Sequence, residues 1–186
     1  MTLATTIVPL LDADFAEFID YLGDHTSDNG TAPAGYFMPM PRAESKVDPE
    51  RAAAFRRALG VAIGEPGWRR AWVARDAEGR IAGHADLRAR PERHTAHRCV
   101  LGMGVDRRAR GQGLGGRLLE HVRAWALAET GVEWIDLQVM SGNAAARRLY
   151  ERAGFQPCGE IADLFRVDGI ALGECSMSLR LARERA

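Results

Sequence analysis

Residues 107–119, R-R-A-R-G-Q-G-L-G-G-R-L-L, limit what this chain can become more than any other stretch. An apolar run, 97–105 (H-R-C-V-L-G-M-G-V), leads into it and reads as a strand. Beyond it Leu114, Leu118, Leu119, Val122, Trp125 and Ala126 trace one face of a helix running to about Glu129. Between the two lie Arg107, Arg108 and Arg110 and the four glycines Gly111, Gly113, Gly115 and Gly116. Glycines let the backbone approach an anion closely, and the first helical turn offers N–H groups and a favourable dipole to negative charge. The arginines can add charge-assisted hydrogen bonds. The plainer reading is an Arg-rich, solvated helix start that binds nothing. Residues 134–140 (W-I-D-L-Q-V-M) alternate as a second strand and complete a βαβ unit.

Hairpin signals surround that unit. Residues 3–10 read as a short strand, and Asp12 as the cap of a helix carrying Phe15, Phe18, Ile19 and Leu22. A second helix is entered through Asp48 and Pro49 and ends at Gly60. The segments 68–75 and 80–90 are strands joined by the turn D-A-E-G. Residues 143–155 read as a short helix ending near Gly154, and two strands then meet about Asp168-Gly169. The expected fold is α/β: a mixed sheet flanked by helices, in one domain over 1–186, with 46% hydrophobic residues to fill its core.

Charge and composition narrow the function. Twenty-five basic and 25 acidic residues cancel, so no global field draws the chain to nucleic acid or an anionic membrane. The first 15 residues lack a basic n-region, no apolar stretch approaches spanning length, and Cys99, Cys158 and Cys175 are widely spaced. A cytoplasmic protein without disulfides is expected. The five histidines (25, 84, 94, 97 and 121) form no metal-binding pattern, so no metal site is expected. Lys46 is the only lysine and lies in a Pro-rich polar stretch, a poor place for a Schiff base.

Two nucleotide-binding motifs compete for the glycines. A P-loop needs Lys and Ser or Thr after its last glycine, and Gly116 is followed by neither. Gly111, Gly113 and Gly116 do satisfy G-x-G-x-x-G, but residues 106–110 separate Val105 from Gly111 and only one βαβ unit exists, which disfavours a dinucleotide fold. The stretch resembles the GNAT superfamily of acetyltransferases, whose motif [RQ]-x-x-G-x-[GA] is matched by Arg108, Gly111 and Gly113. A second block, 137–155, resembles that family's fifth strand, an Asn opening its fourth helix, and a Tyr seven residues on, here Asn143 and Tyr150.

The resemblance implies a mostly antiparallel seven-stranded mixed sheet with about four helices, acetyl-CoA as cosubstrate, and direct acetyl transfer to a primary amine. That amine would belong to a small metabolite, an antibiotic or a protein N-terminus. It assigns the diphosphate to Arg108, Arg110, Gly111, Gln112, Gly113, Leu114, Gly115 and Gly116. Backbone N–H groups around Met103, Gly104 and Val105 would meet the thioester oxygen, and Asn143 the pantetheine. Tyr150 would protonate the leaving thiolate; its plainer reading is a core aromatic beside Leu149 and Phe155. In the family's ribosomal-protein-alanine acetyltransferases a Glu on the fifth strand serves as base, whereas Gln138 stands here and an amide cannot. His84 and Asp86, with His97, are the candidate bases, each open to a structural reading as a hydrogen-bonded strand residue.

A non-catalytic acyl-CoA sensor or interaction module on the same fold is the other class of function. The irregular segment 23–47, with apolar Tyr36, Phe37, Met38, Pro39, Met40 and Pro41, is expected to fold over the acceptor as a lid. A cap on the core, or a contact with a second copy in a homodimer, is its alternative.

Overall fold

The computed structural model describes residues 4–32 and 34–182, so Leu3 of the expected first strand and Pro33 of the expected lid lie outside the described residues. The strands are β1 (Thr6–Pro9), β2 (Arg69–Arg75), β3 (Ile81–Ala89), β4 (Arg98–Val105), β5 (Trp134–Met140), β6 (Gln156–Val167) and β7 (Ile170–Arg180). They form one sheet in the order β1-β2-β3-β4-β5-β7-β6, antiparallel at every junction except β4 with β5. The helices are α1 (Phe15–Ser27), α2 (Pro49–Leu59), α3 (Leu114–Glu129) and α4 (Ala144–Arg152).

Both faces of the sheet are covered near its centre, so β2 and β3 read as nearly unbroken buried runs. On one face Trp72, Ala85, Leu87 and Leu101 pack with Leu114, Leu118 and Val122 of α3. On the other, Ala71 and Val73 meet Phe15 and Phe18 of α1, with Phe55 of α2 against them. Asp48 caps α2 as its position predicts, accepting from Glu50 N at 2.9 Å. Asp12 does not cap α1. It opens a single 3₁₀ turn, Asp12–Asp14, because its carboxylate takes a two-point bond from Arg56, both distances 2.6 Å. Helix α1 then continues to Ser27, so the irregular segment starts at residue 28 instead of 23.

The β4/β5 junction sets the geometry of everything below. The parallel pairing lasts for only Arg98↔Trp134, Cys99↔Ile135 and Val100↔Asp136, after which β4 runs on to Val105 while β5 follows β7 to Met140. A wedge opens between them. Its closed end is pinned by Asp136, which accepts from Arg90 Nη1 at 2.7 Å, Arg98 Nε at 2.8 Å and Ser178 Oγ at 2.6 Å. Burial would raise the Asp136 pKa, but the bonds from Arg98, Ser178 and Arg90 outweigh it and hold the carboxylate below its usual range.

Candidate active site

At the open end of the wedge, β4 turns into α3 through the arginine–glycine loop. Asp106 caps a 3₁₀ turn, Arg107–Ala109, accepting from Arg108 N at 2.8 Å. The chain enters α3 through Gly113 at φ 80°, a left-handed conformation that a side chain would strain. The first turn of α3 thereby presents N–H groups that have no partner within the helix, as every helix start does.

The arginines are engaged differently from the expectation. Arg107 bonds Asp28 at 2.5 Å and Asp24 at 2.6 Å, Arg108 bonds Asp106 at 2.9 Å, and Arg110 bonds Asp28 at 3.1 Å and Val105 O at 3.1 Å. Three carboxylates thus balance three guanidiniums. The loop's attraction for an anion rests chiefly on backbone amides and the helix dipole. The motif [RQ]-x-x-G-x-[GA] also fits two residues later, at Arg110, Gly113 and Gly115. In that register its last glycine sits where α3 meets α4, since a Cβ on Gly115 would come within 2.8 Å of Leu149 Cδ2.

Along the wedge, the antiparallel ladder decides which β4 amides are available. Asp106 N donates to Ala82 O at 3.0 Å, which fixes the alternation: Gly102 and Gly104 direct their amides to β3, and Leu101, Met103 and Val105 direct theirs to the β5 side. The Met103 and Val105 amides therefore face the wedge. Gly104 does not, and contributes its lack of a side chain instead: a Cβ there would stand 2.5 Å from His25 Nε2 and 2.7 Å from His84 Cε1.

Helix α4 lies on the far wall. Asn143 caps it, its Oδ1 accepting from Ala146 N at 3.1 Å. Tyr150 is 9% exposed and packs edge-on against Phe155 at 5.8 Å, so its core reading holds as far as the ring is concerned. Its hydroxyl has no hydrogen-bond partner among the described residues, and burial pushes its pKa up to about 12. Gln138 is exposed on β5, opposite Ser176 of β7.

The geometry speaks against both candidate bases. His84 is buried among Phe18, Tyr21 and His25, its Nδ1 is 3.1 Å from the Tyr21 hydroxyl, and burial, then His25, pushes its pKa down to about 3. Asp86 is buried between Arg69, at 3.1 Å, and Arg88, at 3.4 Å. His97 is exposed just before β4, at the closed end of the wedge.

The segment after α1 is a strap with a fixed shape. Asn29 is fully buried and organises it: its Oδ1 accepts from Phe37 N (2.9 Å) and Met38 N (3.0 Å), while its Nδ2 donates to Met38 O (3.3 Å), Met40 O (3.0 Å) and Ser45 Oγ (3.0 Å). Phe37 packs on His25 at 5.3 Å, and the Tyr36 hydroxyl donates to Asp168 in the β6–β7 turn at 2.5 Å. The strap crosses the open side of the sheet from α1 to that turn.

Residues 36–155, more than half of the chain, match the model of the Acetyltransferase (GNAT) family. The chain belongs to that family. A mycothiol acetyltransferase of Clavibacter michiganensis subsp. michiganensis is 40% identical over 110 residues, 58% of this chain and 34% of the relative. An L-2,4-diaminobutyric acid acetyltransferase of Streptomyces avermitilis is 39% identical over 79 residues, 42% of this chain and 43% of the relative. The chain thus spans less than half the length of either. The structure of yncA from Salmonella typhimurium with its cofactor acetyl-CoA superposes with a TM-score of 0.75 at 22% identity, over 98% of this chain and 97% of that one. This last likeness concerns the fold.

Within this GNAT chain, two residues at the site escaped the sequence reading. His25 had a signal, because Phe18, Tyr21 or Leu22, and His25 follow one another at helical spacing on the buried face of α1. Asn29 had none, being one polar residue in a polar, glycine-rich loop. Among the described residues no group of three or more His, Cys, Asp or Glu could hold a metal, and no helix is long and apolar enough to cross a membrane.

Proposed function

We propose that the protein transfers an acetyl group from acetyl-CoA directly to an amine in the wedge between β4 and β5. One observation carries this reading. The pairing of β4 with β5 stops after three residues, so the amides of Met103 and Val105 face an open wedge that leads to the start of α3. A diphosphate on the first turn of α3 and a thioester beside Met103 suit this arrangement.

Bound there, acetyl-CoA supplies an activated acyl group. The chain's residues do the rest. The Met103 and Val105 amides hold the carbonyl oxygen as negative charge grows on it. The amine nitrogen forms its bond to the carbonyl carbon as the carbon–sulfur bond breaks, and the Tyr150 hydroxyl gives its proton to the departing sulfur. A pKa of about 12 keeps Tyr150 protonated throughout the working range. His84 is too weak a base and Asp86 is held between two arginines, so the amine enters already neutral and loses its remaining proton to solvent. One of the relatives is named for acetylation of L-2,4-diaminobutyric acid, a compound that carries amino groups, which supports an amine acceptor.

The test is release of CoA thiol from acetyl-CoA across a panel of amino acids, aminoglycosides, polyamines and peptide N-termini. Amine-dependent release supports the proposal. CoA binding without release on any amine favours the sensor reading instead.

A further inference from the structure

Beside the wedge, on the face covered by α1 and α2, a cavity of about 460 Å³ opens between those helices and the ends of β2 and β3. Ile19, Leu22 and Phe55 give it apolar walls, and its charged lining is Arg51, Arg69 and Arg88 with no carboxylate. Arg51 is at the rim, paired with Asp48 at 3.8 Å. The inner two arginines are less well matched. Arg69 Cζ lies over the Phe55 ring, 4.1 Å from its centroid, and Nε is 3.1 Å from Asp86 Oδ1, yet this buried Nε is too far off line to bond that oxygen and finds no other acceptor. Arg88 Nη1 is 3.4 Å from the same oxygen. Two guanidiniums therefore share one carboxylate, leaving one positive charge in excess in a half-enclosed site of a chain whose overall charge is zero. Burial lowers the pKa of Arg69, the direction expected for a cation short of counter-charge.

This charge stands close to the β4 edge of the wedge. Asp86 is opposite Gly102 in the β3–β4 ladder, and Arg88 Nη1 lies 3.1 Å from where a Gly102 Cβ would be. Gly102 is one strand residue, about 3.4 Å, from Met103, whose amide faces the wedge. An anion on Arg88 would thus be a few bonds from an amine poised at the thioester.

We propose that the acceptor is an amino acid with an apolar side chain, its carboxylate held by Arg88 and Arg69 and its hydrocarbon chain lying against Ile19, Leu22 and Phe55. The assignment rests on the acetyl-transfer reading. A carboxylate suits the site in charge and in shape: its single negative charge cancels the single excess, and its two oxygens match the guanidinium fork. A phosphate monoester brings close to two charges at neutral pH and would leave one unmatched beside Asp86.

The test compares leucine, methionine and phenylalanine with their amides and their decarboxylated amines, and with phosphoethanolamine. Each is assayed for kcat/KM and titrated calorimetrically into the protein saturated with CoA. The acids are expected to exceed the amides and amines by roughly 10- to 100-fold, the value of a charge-assisted hydrogen bond, and Arg88→Gln to shrink that ratio by about 10-fold or more, with Arg88→Lys between. Equal use and binding of acid and amide by the wild type overturns the proposal whether or not the variants fold, as does tighter binding of phosphoethanolamine. Acetylation of the amides and decarboxylated amines as efficiently as of the acids would sink the carboxylate site while leaving acetyl transfer standing. Acid-selective binding without turnover would do the reverse.

Discussion

Arg107 reaches from the loop after β4 to the end of α1, its Nη1 2.5 Å from Asp28 Oδ1. The residue that sequence logic would aim at a phosphate is instead a tie between two elements, and Arg110 shares the same carboxylate. Anion binding then depends more on the path of the backbone through Gly113 than on the loop's side chains. Gly113→Glu is expected to weaken CoA by roughly 100-fold or more, because a carboxylate is placed at the helix start proposed to receive the diphosphate. Gly113→Asn, which tolerates the left-handed backbone, should retain more affinity, and Arg108→Gln should cost less than about 10-fold. Calorimetric titration of CoA into the three variants checks the order. A larger loss in Arg108→Gln than in Gly113→Glu contradicts it.

Tyr150→Phe should lower kcat by roughly 10²- to 10⁴-fold, the span of general acid catalysis, with CoA affinity nearly unchanged because the ring keeps its packing on Phe155. With its pKa near 12, Tyr150 gives no descending limb below about pH 11. Unimpaired single-turnover transfer in Tyr150→Phe refutes the acid role.

His84 links stability to pH. It is buried and neutral in the folded protein, with a pKa of about 3, against about 6.5 in an unfolded chain. Between these values the unfolded chain binds a proton that the folded chain does not, so this contribution is complete above about pH 6.5 and is lost as pH falls toward about 3. Tm should hold steady above neutrality and decline below about pH 6, with a shallower decline in His84→Gln. The rate responds differently. With no base in the site, the ascending limb of kcat/KM should follow each acceptor's amine pKa in both proteins. A limb fixed near one pH for every acceptor, and absent from His84→Gln, would restore His84 as the base.

Asn29→Ala removes the centre of the strap and strips its bond from the Phe37 and Met38 amides and from Met40 O, while Met38 O keeps Met40 N and Ser45 Oγ keeps Pro41 O. Each buried group so stranded costs about 1–3 kcal/mol, so a fall in stability of at least about 2 kcal/mol is expected. Because Phe37 of the strap rests on His25, the acceptor KM should rise as well, while CoA affinity changes little. A variant with normal KM and lowered stability would reduce the strap to a cap on the core.

The sequence was most informative where physics is local. Turn residues, helix caps and periodicity mark β2 to α4 closely, and the glycines after β4 identify the start of α3 because helix entry is decided within a few residues. The wedge was visible only through the family resemblance, since its closed end is pinned by Asp136 gathering Arg90 from just after β3, Arg98 from β4 and Ser178 from β7. Likewise the arginines of the loop look free for phosphate until the fold brings Asp24 and Asp28 beside them. His84 and Asp86 look like bases in a linear sequence because nothing there shows that one will be sealed under Tyr21 and His25, or the other clamped by Arg69 and Arg88.

Direct transfer of acetyl from CoA to an amine at the wedge is tested most directly by rapid quench. The enzyme, with isotopically labelled acetyl-CoA, is mixed with an amino acid acceptor, and protein and product are analysed by mass spectrometry through the first turnover. The label should pass to the amine nitrogen in step with CoA release, with no labelled protein at any time. Label accumulating on the chain before product forms, at exposed Cys158 for example, or CoA released without acetylated amine, would contradict it.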